Sequence, residues 1–219
     1  MNLRDRAFAC GLARLRGEPE DHLRQLAARE HASARALRGE PLRRAIEEVP
    51  ADLRDHFLEE LLDIAYPPEP LTADYVPAHT TEILHAFDSV GLGPDDTLID
   101  VGSGLGKVVM LAAMLAGSRA RGIEIDPTLV RIAERAALAL GLERVSFELS
   151  DAQGADLGDA TVLFFYLSFS GQALGRFLER VRTLRPARRL RVCAPPLDEP
   201  WLRPIAAPMS WLSIYEAEI

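Results

Sequence analysis

The chain has 219 residues, 48% of them hydrophobic, which suits one domain with a large core plus an appendage. Its formal net charge of -8 opposes general affinity for nucleic-acid phosphate, so nucleic acid is not an expected partner. The two cysteines, Cys10 and Cys193, form no zinc or disulfide pattern, the N-terminus carries no secretory signal, and the most apolar run, residues 108–116, is too short to span a bilayer. We therefore expect a cytoplasmic protein with no membrane segment and no metal site.

The first 70 residues predict a helical extension. Leucine and alanine recur there at helical spacing among charged residues, and glycines and prolines divide the pattern into three or four short helices. Residues 67–70, Pro-Pro-Glu-Pro, form stiff extended backbone. We therefore assign residues 1–70 to an N-terminal helical extension and residues 71–219 to the main domain. The extension is either a solvated cap or a surface that contacts the substrate.

Helices and strands alternate through the main domain. The predicted elements, in chain order, are helix 79–90, strand 97–101, helix 105–116, strand 119–125, helix 128–140, strand 144–149, strand 161–167, helix 172–183, strand 190–194 and strand 210–216. This order predicts an α/β fold with a doubly wound, mostly parallel sheet. The strand over 161–167 is nearly all apolar, which places it in the middle of the sheet.

A glycine-dense turn follows the first strand of this domain. Residues 98–107 read Leu-Ile-Asp-Val-Gly-Ser-Gly-Leu-Gly-Lys. Glycines at Gly102, Gly104 and Gly106 allow a sharp turn and a close approach of the backbone to a ligand, and the next helix offers unpaired amides. The spacing does not match a phosphate-binding P-loop, because that loop needs four residues between its glycine and the Gly-Lys pair, followed by Ser or Thr.

Acidic residues follow three successive strands. The negative charge of Asp100 would repel a bound pyrophosphate, so it favours a cofactor with a cationic group, such as S-adenosylmethionine (SAM). Glu124 lies about 20 positions after the turn, where a strand-end acid binds ribose hydroxyls. Asp151, followed by Ala152, is placed to accept a hydrogen bond from the adenine amino group. With the turn glycines and Ser103, these are the predicted cofactor-binding residues.

Together, the Asp-x-Gly-x-Gly-x-Gly turn, Glu124 and Asp151 resemble the class I SAM-dependent methyltransferases. Over a longer stretch, from Tyr75-Val-Pro-Ala to the ending at residues 211–215, the chain also resembles a narrower group, the lysine methyltransferases that modify the c-subunit of ATP synthase. The wider group includes the non-SET histone lysine methyltransferases. The resemblance implies a Rossmann-like fold with an antiparallel closing strand, SAM as cofactor, and methyl transfer to a nitrogen, first of all on a protein lysine.

The resemblance also implies where the acceptor binds. In this superfamily the segment after the fourth strand, here residues 166–169, lines the acceptor pocket. Tyr75 begins the Tyr-Val-Pro-Ala segment just before the first core helix, where a loop can fold over the methionine end of SAM. We expect Tyr166 and Tyr75 to be the catalytic residues. Residues 168–171 match neither lysine group closely. A small-molecule N- or O-methyltransferase and a non-catalytic SAM-binding interaction protein therefore stay open as alternatives.

Several other side chains have structural explanations. Asp126 is expected to cap the helix that follows it. Trp201, Trp211 and Tyr215 are expected in the core near the last strands. Lys107, the only lysine in the chain, is expected to pair either with the SAM carboxylate or with a neighbouring acid.

Overall fold

The computed structural model describes residues 35–49, 54–62, 76–168, 170–184, 186 and 188–219. The α-helices of this part are α1 Gly39–Glu48, α2 Arg54–Leu61, α3 Thr80–Val90, α4 Lys107–Leu111, α5 Pro127–Ala139 and α6 Gly171–Arg182, and a π-helical segment, Ala112–Ala116, continues α4. The strands are β1 Thr97–Val101, β2 Arg119–Glu124, β3 Val145–Leu149, β4 Val162–Phe164, β5 Arg191–Ala194, β6 Leu202–Pro204 and β7 Ser213–Ala217. The predicted boundary at residues 67–70 lies outside the described residues, so the division of the chain at residue 70 stays a prediction.

In the described part of the chain, the strands form one seven-stranded sheet in the order β3-β2-β1-β4-β5-β7-β6. Strands β1 to β5 pair in parallel, and β7 runs antiparallel to both β5 and β6. Every residue of β1 and β4 is buried, as strands covered by helices on both faces require. The structure thus confirms a doubly wound, mostly parallel sheet with one antiparallel strand. The carboxyl ends of β1 to β4 meet at one edge.

Element ends differ from the sequence prediction where the backbone turns. Strand β4 stops at Phe164, because the chain leaves the sheet and Leu167 takes a left-handed φ of 52°. The closing strand begins at Ser213, since Ser210 has a φ of 54° in the turn before it. Strand β6 was not predicted. The predicted helix over 105–116 starts at Lys107, and its last turn is π-helical.

The N-terminal helices share the core of the main domain. Leu42 and Ile46 of α1 and Leu58 of α2 are fully buried in one cluster with Val109 and Met110, which lie on the helix after the glycine turn. Because these side chains are buried, α1 and α2 are more than a solvated appendage. We infer that loss of either helix would expose apolar side chains of this shared cluster.

The large aromatic residues near the C-terminus divide into two groups. Trp201 and Tyr215 are buried beside the last strands, which confirms their predicted place in the core. Trp211 is 63% exposed, so its predicted core position is wrong. The reason is local: Trp211 lies in the tight turn before β7, where Met209 and Leu212 bridge each other and the indole points away from the sheet.

Candidate active site

The glycine turn connects β1 to α4 at the carboxyl edge of the sheet. Gly102 and Gly106 have φ angles of 77° and 78°, which L side chains rarely adopt. A Cβ atom at Gly102 would lie 2.3 Å from Ser168 Oγ, and one at Gly106 would lie 2.5 Å from Phe147 Cζ. Glycine is therefore required at both positions, because the turn is packed on one side by β3 and on the other by the loop after β4.

Glu124 holds the turn in place from the end of β2. Its Oε2 accepts the Gly104 N–H at 2.8 Å, and its Oε1 accepts the N–H groups of Ile125 and Asp126 at 2.8 and 3.0 Å. The N–H groups of Gly102 and Ser103 donate to Ile123 O. The structure thus brings Gly104 and Glu124, which are 20 positions apart, into direct contact.

Asp100, at the end of β1, lies almost fully buried beside the turn. Burial raises the pKa of this carboxyl well above its usual value, and the charge of Glu124 raises it further. Asp100 lines a cavity together with Gly102, Ser103 and Tyr166. A cation in this cavity would favour the ionised form of Asp100, which agrees with the predicted role of this residue beside the cationic part of SAM.

Ser103 supplies a further polar atom at the turn. Its Oγ is buried and has no hydrogen-bond partner among the described residues, and it lies where a Cβ at Gly122 would be 2.4 Å away. Buried hydroxyls are nearly always paired, so an unpaired one in a cofactor turn fits a site completed by a polar ligand. The residues present therefore fit a ligand with a cationic group and hydroxyl groups, as SAM has.

The third predicted acid lies next to Glu124 at the same edge. Ser150 N donates to Glu124 O at 2.9 Å, and Asp151 follows directly. The Asp151 side chain is exposed, and its Oδ1 accepts the Gln153 N–H at 2.9 Å. Ala152 O accepts a hydrogen bond from Arg180 at 2.7 Å, which anchors this loop to α6. Asp151 and Ala152 are thus held at the edge where an adenine is expected.

Tyr166 lines the cavity from the loop after β4, and its hydroxyl lies 3.4 Å from Glu82 Oε1. Burial raises the pKa of Tyr166 to about 12, with further contributions from the charge of Glu82 and the hydrogen bond to it. The phenol therefore keeps its proton at neutral pH. Tyr75 and Phe169 lie outside the described residues, and residues 76–78, which follow Tyr75, line the same cavity.

Two carboxylates near the cavity were not found from the sequence. Glu82 is buried on α3, where it bonds the His79 N–H; acid at the third position of a helix is a capping signal, which was the one available clue. Asp55, on α2, bonds Lys107 Nζ at 3.1 Å and also the N–H and hydroxyl of Thr80. No local signal predicts the contact between Asp55 and Lys107, because these residues are 52 positions apart.

In the part of the chain that the structure describes, no group of acidic, histidine and cysteine side chains could hold a metal ion. The same residues include no helix long and apolar enough to cross a membrane.

Comparison with known proteins gives one family match. The family model described as "Histone methylation protein DOT1" matches residues 74–146. A histone-lysine N-methyltransferase, H3 lysine-79 specific, from Cryptococcus neoformans is 43% identical over 51 residues, which is 21% of this chain and 8% of that protein. The same protein from a second strain gives the same values. The aligned segment contains only a small part of these curated relatives.

Solved structures resemble a larger part of the chain. An RNA methyltransferase from Salinibacter ruber, in complex with S-adenosyl-L-homocysteine, is 28% identical with a TM-score of 0.56, covering 65% of this chain and 92% of that one. A SAM dependent methyltransferase from Aquifex aeolicus is 18% identical with a TM-score of 0.51, covering 63% of this chain and 89% of that one. At 18% identity, the likeness to the Aquifex aeolicus protein shows a shared fold only.

Proposed function

We propose that this chain is a class I SAM-dependent methyltransferase that transfers the methyl group of its cofactor by direct displacement to the side-chain nitrogen of a protein lysine. The observation that carries the acceptor class is the match of residues 74–146 to a family of histone methylation proteins. That match contains the glycine turn, Glu124 and the whole of α3. The narrower resemblance to the c-subunit lysine methyltransferases stays a prediction, as does the cytoplasmic location.

The cofactor site is formed by the carboxyl edge of β1, β2 and β3. SAM, when bound, supplies a methyl group on a positively charged sulfonium. Asp100 would face the cationic part of the cofactor, the backbone of the turn would receive it closely, and Glu124 would accept from the ribose hydroxyls. The proposed cofactor-binding residues are Asp100, Gly102, Ser103, Gly104, Gly106, Glu124, Asp151 and Ala152.

The acceptor side of the cavity combines one hydroxyl with apolar walls. Phe164 and Val108 line it beside Tyr166. A lysine must lose a proton before it can react, and an apolar wall lowers the pKa of an ammonium group. Tyr166 is placed to orient the amine, and the walls exclude water. Positioning of this kind supplies much of the acceleration when the electrophile is already reactive.

The proposal is tested by transfer of labelled methyl from SAM into an extract of the source cells, followed by separation into protein, RNA and small molecules. We expect label in a protein band that yields methyl-lysine on hydrolysis. An Asp100→Asn variant run in parallel controls for background from other enzymes. Label found only in RNA, or only in small molecules, would overturn the lysine proposal. SAM binding with no label in any fraction would support a non-catalytic SAM-binding protein.

A further inference from the structure

One buried carboxylate, that of Glu82, joins three elements beside the acceptor cavity. The residue is 1% exposed. Its Oε2 accepts the His79 N–H at 3.0 Å at the start of α3. Its Oε1 lies 3.4 Å from the Tyr166 hydroxyl and 3.3 Å from the Trp211 backbone nitrogen. The start of α3, the loop after β4 and the turn before β7 therefore meet at this one side chain.

The donors around Glu82 determine the direction of the contact with Tyr166. Each carboxyl oxygen receives a backbone N–H, one from His79 and one from Trp211, and a backbone N–H can only donate. Both oxygens act as acceptors, and because a carboxylate has no hydrogen to donate, the phenol is the donor in the third contact. The separation is long for an O–H···O bond, but the charge of a buried carboxylate still orients the phenol hydrogen toward it.

This direction decides what the phenol oxygen offers to the cavity. With its hydrogen turned to Glu82, the oxygen of Tyr166 has only lone pairs left to present. A neutral amine can donate one N–H to such an oxygen and still keep its own lone pair for attack on a methyl group. A carboxylate or thiolate nucleophile has no hydrogen to donate, so its lone pairs would face those of the phenol oxygen and be repelled.

We propose that Glu82 is a positioning residue that makes Tyr166 a hydrogen-bond acceptor toward the cavity and so favours a nucleophile that can donate a hydrogen, such as an amine, over a carboxylate or thiolate. This inference rests on the proposed function for its reaction and adds the device that chooses the acceptor atom. The same carboxylate also accepts the backbone N–H of Trp211, whose side chain is exposed. Glu82 itself need not contact either substrate.

The Glu82→Gln variant tests the proposal because it keeps the shape of the side chain. A glutamine amide can donate to the Tyr166 oxygen, which would reverse the contact and turn the phenol hydrogen toward the cavity. We expect kcat/KM for the protein acceptor to fall about tenfold, with the Kd for SAM unchanged. The matched control is Glu134→Gln, the same chemical change on an exposed residue of α5, and it should leave kcat/KM unchanged.

A double-mutant cycle separates positioning from a purely structural role. If Glu82 acts through the phenol, adding Glu82→Gln to a Tyr166→Phe variant should cause little further loss of kcat/KM. If instead the two losses multiply, Glu82 acts independently of Tyr166 and the proposal is wrong. Activity of the single Glu82→Gln variant equal to the wild type would also overturn it.

A measurement without turnover keeps this inference apart from the proposed function. Ionisation of Tyr166 can be followed as tyrosinate absorbance at about pH 11, with Tyr166→Phe as the subtraction blank and circular dichroism to verify the fold. We expect more tyrosinate in Glu82→Gln, because the carboxylate charge is gone. Equal absorbance would refute the contact even if lysine methylation is found, and a difference would uphold the contact even if it is not.

Discussion

The charge of Asp100 depends on what occupies the cavity that it lines. Burial and the nearby charge of Glu124 raise the pKa of its carboxyl in the free protein, whereas a bound cation stabilises the carboxylate. Cofactor binding is thus coupled to the release of a proton. As the pH rises toward the raised pKa of the free protein, less free energy is needed to remove that proton, so affinity for SAM should increase with pH.

Calorimetric titration of SAM over a pH series measures this coupling. We expect the Kd to fall as the pH rises above the ordinary range of aspartate and to level off above the pKa of Asp100 in the free protein. Asp100→Asn should bind SAM more weakly and should lose the slope. A slope that persists unchanged in the variant would assign the proton to another group.

Gly106 has to be glycine for two separate reasons, and the chain supplies a control that isolates one of them. Its φ is 78°, and a Cβ there would lie 2.5 Å from Phe147 Cζ and 3.2 Å from Ala133 Cβ. Gly141 has a φ of 63° with nothing within 4 Å. We expect Gly106→Ala to lower the free energy of unfolding by about 2–4 kcal/mol and Gly141→Ala by about 1 kcal/mol in urea denaturation. Equal losses would mean that the packing against Phe147 is not tight.

Among the elements, α2 is joined to the start of both α3 and α4 by one carboxylate. Asp55 accepts from Thr80 at the start of α3 and from Lys107 at the start of α4, where the lysine side chain is only 5% exposed. Burial alone would raise the pKa of Asp55, but the hydrogen bonds from Thr80 and His79 and the charge of Lys107 lower it below its usual range. The ionised form of Asp55 therefore stabilises the folded chain.

The Asp55→Asn variant should unfold about 1–2 kcal/mol more easily at neutral pH, a figure reduced because Asp55 is partly exposed. A group with a lowered folded pKa adds stability above its unfolded pKa, near 4, and this stability is lost as the pH falls below that value. The difference between variant and wild type should therefore shrink in acid. The exposed pair of Glu40 and Arg44 on α1 gives the control: Glu40→Gln should change stability by less than about 0.5 kcal/mol. A stability difference between Asp55→Asn and the wild type that stays constant in acid would contradict a stabilising role for ionised Asp55.

Elements with local signals could be predicted from the sequence, and those that depend on distant contacts could not. Strand β1 and the Asp126 cap, whose side chain accepts the Thr128 N–H at 2.7 Å, follow from apolar runs and capping chemistry. Strand β6 is only three residues long and exists through its pairing with β7. The early end of β4 depends on the left-handed Leu167, which has no sequence signal because leucine rarely adopts that conformation.

Across the whole molecule, the parallel order of the strands makes one site from distant segments. The turn, Glu124 and Asp151 were predictable as neighbours, because successive parallel strands deliver their carboxyl ends to one edge. The contacts of Glu82 with Tyr166 and of Asp55 with Lys107 cross from one layer of the fold to another, 84 and 52 positions along the chain. Periodicity and spacing carry no information on such pairs, since they depend on how the helices pack.

Binding of SAM should stabilise the folded chain as a whole. At a concentration of one hundred times Kd the gain is about 2.7 kcal/mol, which for a chain of this length corresponds to a rise in Tm of about 5–11 °C. Glu124 is the residue whose substitution tests this effect. Alanine there would also leave without a partner the three backbone N–H groups that donate to its carboxylate. Glutamine keeps one accepting oxygen and removes the charge.

We therefore expect Glu124→Gln to shift the Tm of the free protein by only a few degrees and to lose most of the rise caused by SAM, as measured by differential scanning calorimetry. The loss follows because an amide cannot replace both oxygens as acceptors for ribose hydroxyls. S-adenosylhomocysteine, which has the same ribose but no sulfonium charge, should stabilise the wild type and lose its effect in the same variant. A full rise with SAM in Glu124→Gln would remove this residue from the cofactor site, because the ribose would then be held elsewhere on the sheet edge.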